Sequence, residues 1–480
     1  MQLSRHKREI RDQFDSLADE RREWKKKNAY YYKRQREYFR FLIPPGKRVL
    51  ELGCGTGELL ASVEPAYGAG IDFSPKIIEQ AEKAHPDLTF IVADVEQPGT
   101  WGLTPGGKNG TFDFIIISDT VGHLEDIQAA FENLRPFCTP DTRIIVSYYN
   151  FLWEPVLKLA EKMKMKMPQK MGNWLSPHDV GNLLYLADYE VVKTDSRILV
   201  PKNVPGLNPV FKFIESLPLM GHLCLSFYVV ARMRRREPAA GNKKVSVVIP
   251  CRNERGNIEP AVERTPDMGE HTEIIFVDGH SQDGTQEEIK RVIEAYPDRD
   301  LKFMVQDGKG KGDAVRKGFA SATGDVLMIL DADLTVPPED LPKFYRAIAS
   351  GKGEFINGTR LVYPMEDQAM RFLNLMGNKF FSLTFTWLLN QRLKDTLCGT
   401  KVISRDDYGH LAAQREYFGD FDPFGDFDLL FGASKLNLKI VEVPIRYKAR
   451  EYGETQISRF KHGWLLLRMS FFAMRKLKMI

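Results

Sequence analysis

The sequence starts the same construction twice: a short, uninterrupted apolar run, a turn bearing glycine or an acid, then a helical stretch. In the first half the runs are KRVLEL, AGID, FIVAD, FDFIIIS and RIIVSYY; in the second they are VSVVIPC, EIIFVDG, KFMVQD and DVLMILDAD. Runs of this length suit strands buried on both faces, and their alternation with helices implies a parallel α/β sheet in each half. Between the halves lies RMRRREPAAGNKK, Arg232 to Lys244, where charge, proline and glycine interrupt the pattern. The halves share no residue-level period and are not repeats. The 480 residues accommodate two or three domains of about 150 residues each. The expected organisation is a basic helical segment or lid at 1–45, a domain at 46–233, a linker at 234–244, a second domain at 245–459 and an amphipathic basic tail at 460–480.

Composition narrows the class. With 43% apolar and 28% charged residues the chain is globular. Its 68 basic and 64 acidic residues nearly cancel, but unevenly: 15 basic face 7 acidic in residues 1–48, and 9 face 2 in 446–480. Acidic bodies with basic ends, and no aromatic-basic recognition module, argue against a nucleic-acid partner. Five cysteines (Cys54, Cys138, Cys224, Cys251, Cys398) form no CxxC pair and read as reduced thiols of a cytoplasmic protein. MQLSRHKREIRDQF has no apolar core of a secretory signal, and no uncharged apolar run reaches the roughly 18 residues of a spanning helix.

In the first half VLEL runs into Gly53-Cys54-Gly55-Thr56-Gly57, and ELLASV opens a helix. Such a loop lets backbone N–H groups approach a ligand beside a helix N-terminus. The second strand ends in Asp72, placed for ribose hydroxyls, the third in Asp94, and the fourth stops before Asp119 and His123. A dinucleotide fold is the alternative, but GxGxxG wants glycine where Glu58 stands. Together ELGCGTGELL, GIDFSPKII, FIVADVEQ and FDFIIISDTVGHLED resemble a class I S-adenosylmethionine-dependent methyltransferase, from about Tyr30 to Arg232. The resemblance implies S-adenosylmethionine (SAM) as cofactor, with Gly53, Gly55 and Gly57 forming its loop and Glu51 supporting it. It also implies Asp72 on the ribose and Asp94 with Val95 facing the adenine, under a lid helix at YYYKRQREYFRF. Methyl transfer is an in-line displacement, so alignment supplies much of the rate. A base is needed only for a hydroxyl acceptor, and His123 is the candidate, its alternative role being to pack below the cofactor. A first half that binds without catalysing is the rival reading.

In the second half Asp331 and Asp333 follow the run VLMIL directly, on one face of an extended chain. That pair suits a hard divalent cation, Mg2+ or Mn2+, shared with phosphate oxygens; a solvated acidic turn is the plain alternative. VVIPCRNE, VDGHSQDGT, GDVLMILDADLTVPPEDLP, NGTR, DTLCGTKVISR and IVEVPIRYKAREYGETQIS resemble a family 2 glycosyltransferase of the GT-A fold, from Val245 to Ser458. The branch it looks most like is the polyprenyl- or dolichyl-phosphate mannose and glucose synthases. The resemblance implies a second Rossmann-like sheet that binds a nucleotide-diphosphate sugar and transfers the sugar with inversion. Pro250, Arg252, Glu254, Asp278 and Asp283 would line the nucleotide pocket, and Asp331 and Asp333 would take the metal–diphosphate unit. Where the family often has two acids before Gly-Ser, this chain has Asp278-Gly279-His280-Ser281, which leaves the base open.

A lipid-phosphate acceptor is already ionised and needs cations; Arg360, Arg371, Arg450 and Lys461 are the candidates. A sugar-hydroxyl acceptor on a soluble glycan would need a base, and Asp426 or Asp428 could serve. Residues 371–393 and the closing KHGWLLLRMSFFAMRKLKMI are apolar with interspersed cations, Lys461, Arg468 and Arg475 forming one stripe. Spanning would place Arg468 near the bilayer centre at a cost of about 3 kcal/mol. A helix lying on the cytosolic membrane face avoids that cost, and burial against the second domain is the alternative. LPLMGHLCLSFYVVARMRRR is expected to form the last β-hairpin of the first sheet.

Overall fold

The computed structural model describes residues 4–104, 110–168, 173–234, 243–362, 372–417, 426–448, 450, 452 and 459–480. It divides into two compact units, Met1–Arg234 with Met479–Ile480 and Arg235–Lys478.

The first unit opens with three helices, α1 (Arg5–Ser16), α2 (Ala18–Lys27) and α3 (Ala29–Leu42). Its strands are β1 (Arg48–Leu52), β2 (Tyr67–Asp72), β3 (Thr89–Val92), β4 (Phe112–Ser118), β5 (Cys138–Tyr149), β6 (Tyr189–Arg197) and β7 (Ser226–Met233). Between them run α4 (Glu58–Ser62), α5 (Pro75–Ala84), α6 (Ile127–Glu132), α7 (Glu154–Lys162), α8 (Pro177–Leu186) and α9 (Asn208–Glu215). The sheet order is β3-β2-β1-β4-β5-β7-β6. Alternate residues feed two cores, which is why the runs are continuously apolar. Leu50, Leu52, Ile115 and Ile117 enter one core, and Val49, Phe114 and Ile116 enter the other.

The second unit contains β8 (Val245–Cys251), β9 (Thr272–Asp278), β10 (Asp300–Val305), β11 (Val326–Ile329), β12 (Phe355–Thr359), β13 (Lys401–Ser404) and β14 (Ile440–Pro444). Its helices are α10 (Ile258–Arg264), α11 (Thr285–Ala295), α12 (Lys311–Ser321), α13 (Leu341–Ala349), α14 (Phe372–Leu389), α15 (Arg405–Ala413), α16 (Asp426–Lys435) and α17 (Arg459–Leu477). The order is β10-β9-β8-β11-β13-β12-β14. Each sheet reverses its direction of winding once, beside β1 and beside β8. In open α/β sheets ligands bind at such a point, beyond the carboxyl ends of the strands.

Both sheets depart from the all-parallel expectation. β7 runs antiparallel to β5 and β6, and β13 antiparallel to β11 and β12. The expected hairpin at LPLMGHLCLSFYVVAR is likewise corrected. The segment contributes one strand, β7; Met220–Leu223 is a 3-10 turn, and the partner β6 lies upstream of α9.

α14 and α17 pack against each other. Leu466, Met469, Ala473, Met474 and Leu477 form the buried face of α17, while Trp464, Leu467 and Phe471 stay exposed, as do Phe380 and Leu383 on α14. Burial against the second unit and an outward apolar face therefore occur on one helix. Among the described residues no helix is long and apolar enough to cross a membrane.

Two candidate active sites

In the first unit a cleft with about 1150 Å3 of empty space, open mouth included, lies beyond the carboxyl ends of β1, β2 and β4. Its floor is the glycine loop. Gly57 has φ 74°, and a Cβ there would fall 2.5 Å from the Phe90 ring; one at Gly53, φ 71°, would fall 2.3 Å from Thr120 Oγ1. Only glycine fits either place. Asp72 is buried and accepts from the Gly55 and Ser74 N–H groups, each at 3.0 Å. It therefore braces the loop from below, and burial holds its carboxyl above the usual range. Asp94 accepts from Lys7 Nζ at 2.6 Å and, with Val95, lines the cleft. Glu51 lines it too, and burial pushes its carboxyl up to about 8 in spite of the Lys25 ammonium nearby.

The cleft's roof is larger than the expected lid. Tyr32, Gln35 and Arg36 of α3 reach it, as anticipated, but so do Lys7, Ile10 and Phe14 of α1 and Arg21 and Lys25 of α2. Lys7 pairs with Glu96 at 2.6 Å as well as with Asp94. Lys25 donates to Thr56 Oγ1 at 2.6 Å, and Arg21 lies over the Phe14 ring and against Gly55. His123 lies in the wall, edge-on to Phe14 with centroids 5.4 Å apart.

Asp119 was named in the sequence without a role. It follows β4 with φ 54°, a left-handed conformation costly for a residue with a side chain. Oδ2 accepts from Tyr31 Oη and Gln35 Nε2, each at 3.1 Å, while Oδ1 is buried without a hydrogen-bond partner. Burial raises its carboxyl to about 6. Orphaned Asp119 Oδ1, Glu51 Oε2 and Arg21 Nε adjoin the cleft, and buried polar atoms of this kind are ordinarily satisfied. They suit a polar, cationic ligand, and SAM fits that description.

In the second unit four segments meet at the ends of β8 and β11. Asp333 Oδ2 receives Arg450 at 2.6 Å, and Arg450 also reaches Glu254 Oε1 at 3.4 Å. Asp331 pairs with Lys311 at 2.5 Å, from the first turn of α12. A Cβ at Gly399 would lie 1.8 Å from Asp331 Oδ2, so the glycine of LCGTK leaves room for this carboxylate. Thr335 holds Asp333 Oδ1 through its N–H and hydroxyl, at 3.2 and 2.8 Å. No cluster of three or more His, Cys, Asp or Glu among the described residues could hold a metal alone. The two carboxylates fit a divalent ion that takes its other ligands from a diphosphate, as Mg2+ commonly does.

Asp278, at the end of β9, is fully buried. Its Oδ2 accepts from Ser281 N–H and Gln286 Nε2 at 3.1 and 2.7 Å, while Oδ1 has no hydrogen-bond partner. Asp283 instead holds the backbone N–H groups of Arg255 and Thr285, shaping the loop. Pro250 pairs with Val277 in the sheet, and Arg252 lies beside Gly279.

Arg360 is paired within the fold. Its fork closes on Asp395 at 2.7 and 2.8 Å, and the guanidinium lies over the Tyr447 ring. Asp395 is buried, with its carboxyl held below the usual range by this pair. One edge of the guanidinium is therefore held by a buried acid. Asp428 is also buried, near Arg316 of α12 at 4.0 Å and lining a small recess with Leu411 and Lys435. Arg371 lies outside the described residues, as do the side chains of Asp426 and Lys461. Lys311 is the cation that sequence reasoning passed over; its signal was the glycine-lysine alternation GKGKGD.

Residues 24–194 match the family model described as "Methyltransferase domain", and residues 246–418 that described as "Glycosyl transferase family 2". The second half is 40% identical over 221 residues to the dolichol-phosphate mannosyltransferase of Pyrococcus furiosus, covering 45% of this chain and 59% of that protein. It is 27% identical over 237 residues to glycosyltransferase AglD of Haloferax volcanii, covering 48% of this chain and 37% of that protein. The chain thus spans well under two thirds of the curated relatives it matches. A solved SAM-dependent methyltransferase from Mesorhizobium loti aligns at 18% identity and TM-score 0.30, covering 39% of this chain and 91% of its own. One polypeptide therefore carries a domain matching the methyltransferase model and a domain matching the family 2 glycosyltransferase model.

Proposed function

We propose that the chain is a bifunctional enzyme, a SAM-dependent methyltransferase joined to an inverting glycosyltransferase that moves a sugar from a nucleotide diphosphate to a polyprenyl phosphate. The observation that carries the second half is the convergence of Asp331, Asp333, Glu254, Arg450 and Lys311 at the switch point of the sheet. The printed name of the Pyrococcus relative supports the acceptor class.

In that reaction an acceptor phosphate oxygen bonds to the anomeric carbon while the bond to the nucleoside diphosphate breaks, its electron pair leaving with the diphosphate. Lys311 and Arg450 are placed to meet that departing charge. A divalent ion held by Asp331 and Asp333 would add Lewis-acid stabilisation of the same group. Asp278 would accept from the nucleotide base through its free oxygen. The phosphate acceptor is ionised already, which suits a site without a dedicated base.

In the first half SAM supplies an electrophilic methyl group when bound. The glycine loop would place it, and α1 to α3 would exclude water. Asp119 is better suited than His123 to receive a proton or face a cationic centre, since it lines the cleft, is raised to about 6 and has one buried oxygen short of a hydrogen bond. The outward face of α14 and α17 would lie on the membrane surface that holds the polyprenyl phosphate.

Asp333→Ala should abolish transfer from every member of a nucleotide-sugar panel to polyprenyl phosphate, followed by mass spectrometry. SAM binding by calorimetry should be unchanged in the same protein. Full transfer by this variant would sink the assignment.

A further inference from the structure

The first unit carries a second apolar face that neither reaction uses. After β5 the chain forms a 3-10 turn, Phe151–Trp153, and then α7; after β6 it forms α9 and the 3-10 turn Met220–Leu223. β5 and β6 both run antiparallel to β7, so these segments leave the sheet at the same edge. They are tied together, since Trp153 Nε1 donates to Leu223 O at 2.9 Å and Asn150 Nδ2 to His222 O at 2.8 Å. Along them Leu152, Leu159, Met163, Val210, Phe213 and Leu219 are exposed, Leu219 by 77% and Met163 by 60%. Soluble surfaces rarely collect so many large apolar side chains without an occupant.

Charge selects the occupant. Residues 151–168 and 198–223 hold six lysines and three acids, and one of those acids, Glu215, is buried against Arg34. Lys158, Lys166 and Lys212 pair with Glu154, Glu161 and Glu37, but Lys162 and Lys164 stand exposed beside outward Leu, Met and Phe, which meets the requirements of an anionic bilayer interface. The face also adjoins the cofactor cleft. Tyr149 lines that cleft and Asn150, the next residue, caps the 3-10 turn, while Lys166 lies over the Tyr149 ring.

We infer that this face docks the first unit onto an anionic lipid surface. The inference is separate from lipid contact by α14 and α17. The full chain can carry one environment-sensitive thiol dye at a time, at Leu159→Cys, Phe213→Cys, Trp464→Cys or, as a control on α5, Lys83→Cys. Four native cysteines are buried, and burial pushes the half-buried Cys138 thiol up to about 12, so added surface thiols react first. With vesicles of phosphatidylglycerol and phosphatidylcholine the dyes at 159 and 213 should brighten several-fold and shift to the blue. The dye at 83 should not respond, and pure phosphatidylcholine should give the weaker response. No change at 159 and 213, an equal response to uncharged vesicles, or a response to protein concentration without lipid would overturn the proposal, the last by assigning the face to a second copy. A response at 464 alone would leave the proposed function standing and remove this inference. Loss of SAM binding with responsive dyes at 159 and 213 would do the reverse.

Discussion

Asp119 combines two costs in one half-buried residue: a left-handed backbone and a buried, unsatisfied oxygen. A carboxyl raised to about 6 in the folded state opposes folding progressively as pH climbs from its unfolded value through that point. Asp119→Asn should therefore lose little stability at neutral pH. Binding of a cation favours the ionised carboxylate, so SAM affinity should rise with pH through about 6 as Asp119 ionises, before the Glu51 carboxyl near 8 in the same cleft begins to do so. The change between pH about 5 and 7 is up to roughly tenfold, and in Asp119→Asn the profile should be flat. Calorimetric titration at several pH values checks both; an unchanged slope in the variant would remove Asp119 from the site. At this scale the sequence was readable where a residue type is forced by the backbone, as at Gly53 and Gly57, or where carboxylates end an apolar strand, as at Asp331 and Asp333. It did not reveal Arg360's pairing, because the partner Asp395 lies 35 residues on and arginine-rich motifs look alike whether they hold a phosphate or a buried acid.

Ten strands were legible because their apolar runs are continuous, whereas β6, β12, β13 and β14 do not read as such runs. What periodicity does not carry is direction, so the antiparallel β13 was missed, whereas the hairpin expected at SFYVVAR already implied an antiparallel β7. The roof of the first cleft was seen only in part for a similar reason. α1 and α2 are strongly charged and fall in the 1–45 segment read as basic or as a lid, with only α3 singled out as the lid helix; Lys7, Arg21 and Lys25 turn their charge inward to Asp94, Gly55 and Thr56. Removing residues 1–27 should leave the far-ultraviolet circular dichroism of the sheet in place and weaken SAM binding by about tenfold or more, since a buried charged hydrogen bond is worth roughly 1.5–3 kcal/mol. Retained affinity would make these helices a cover without a role in binding.

Across the whole molecule, each unit has its own core and its own switch point. Two calorimetric transitions are expected: SAM should raise one, and a nucleoside diphosphate with Mg2+ the other, each by mass action on the folded state alone. A single transition raised by both ligands would show that the units melt as one. Charge totals hid this division, because the excess of bases at the two ends offsets two acidic bodies.

Asn28, at the joint of α2 and α3, has one more consequence. Its Nδ2 donates to Met165 O at 3.3 Å and its Oδ1 accepts from Lys202 Nζ at 2.8 Å, so the roof over the cleft hangs from both segments that form the exposed apolar face. An event that shifts those segments shifts the hinge of the roof. Thermodynamic reciprocity then fixes the accounting: whatever factor an anionic surface applies to SAM affinity, SAM applies to surface affinity in return. The cofactor would thus act as a reporter of where the protein resides, and a filled cleft as a vote for staying there.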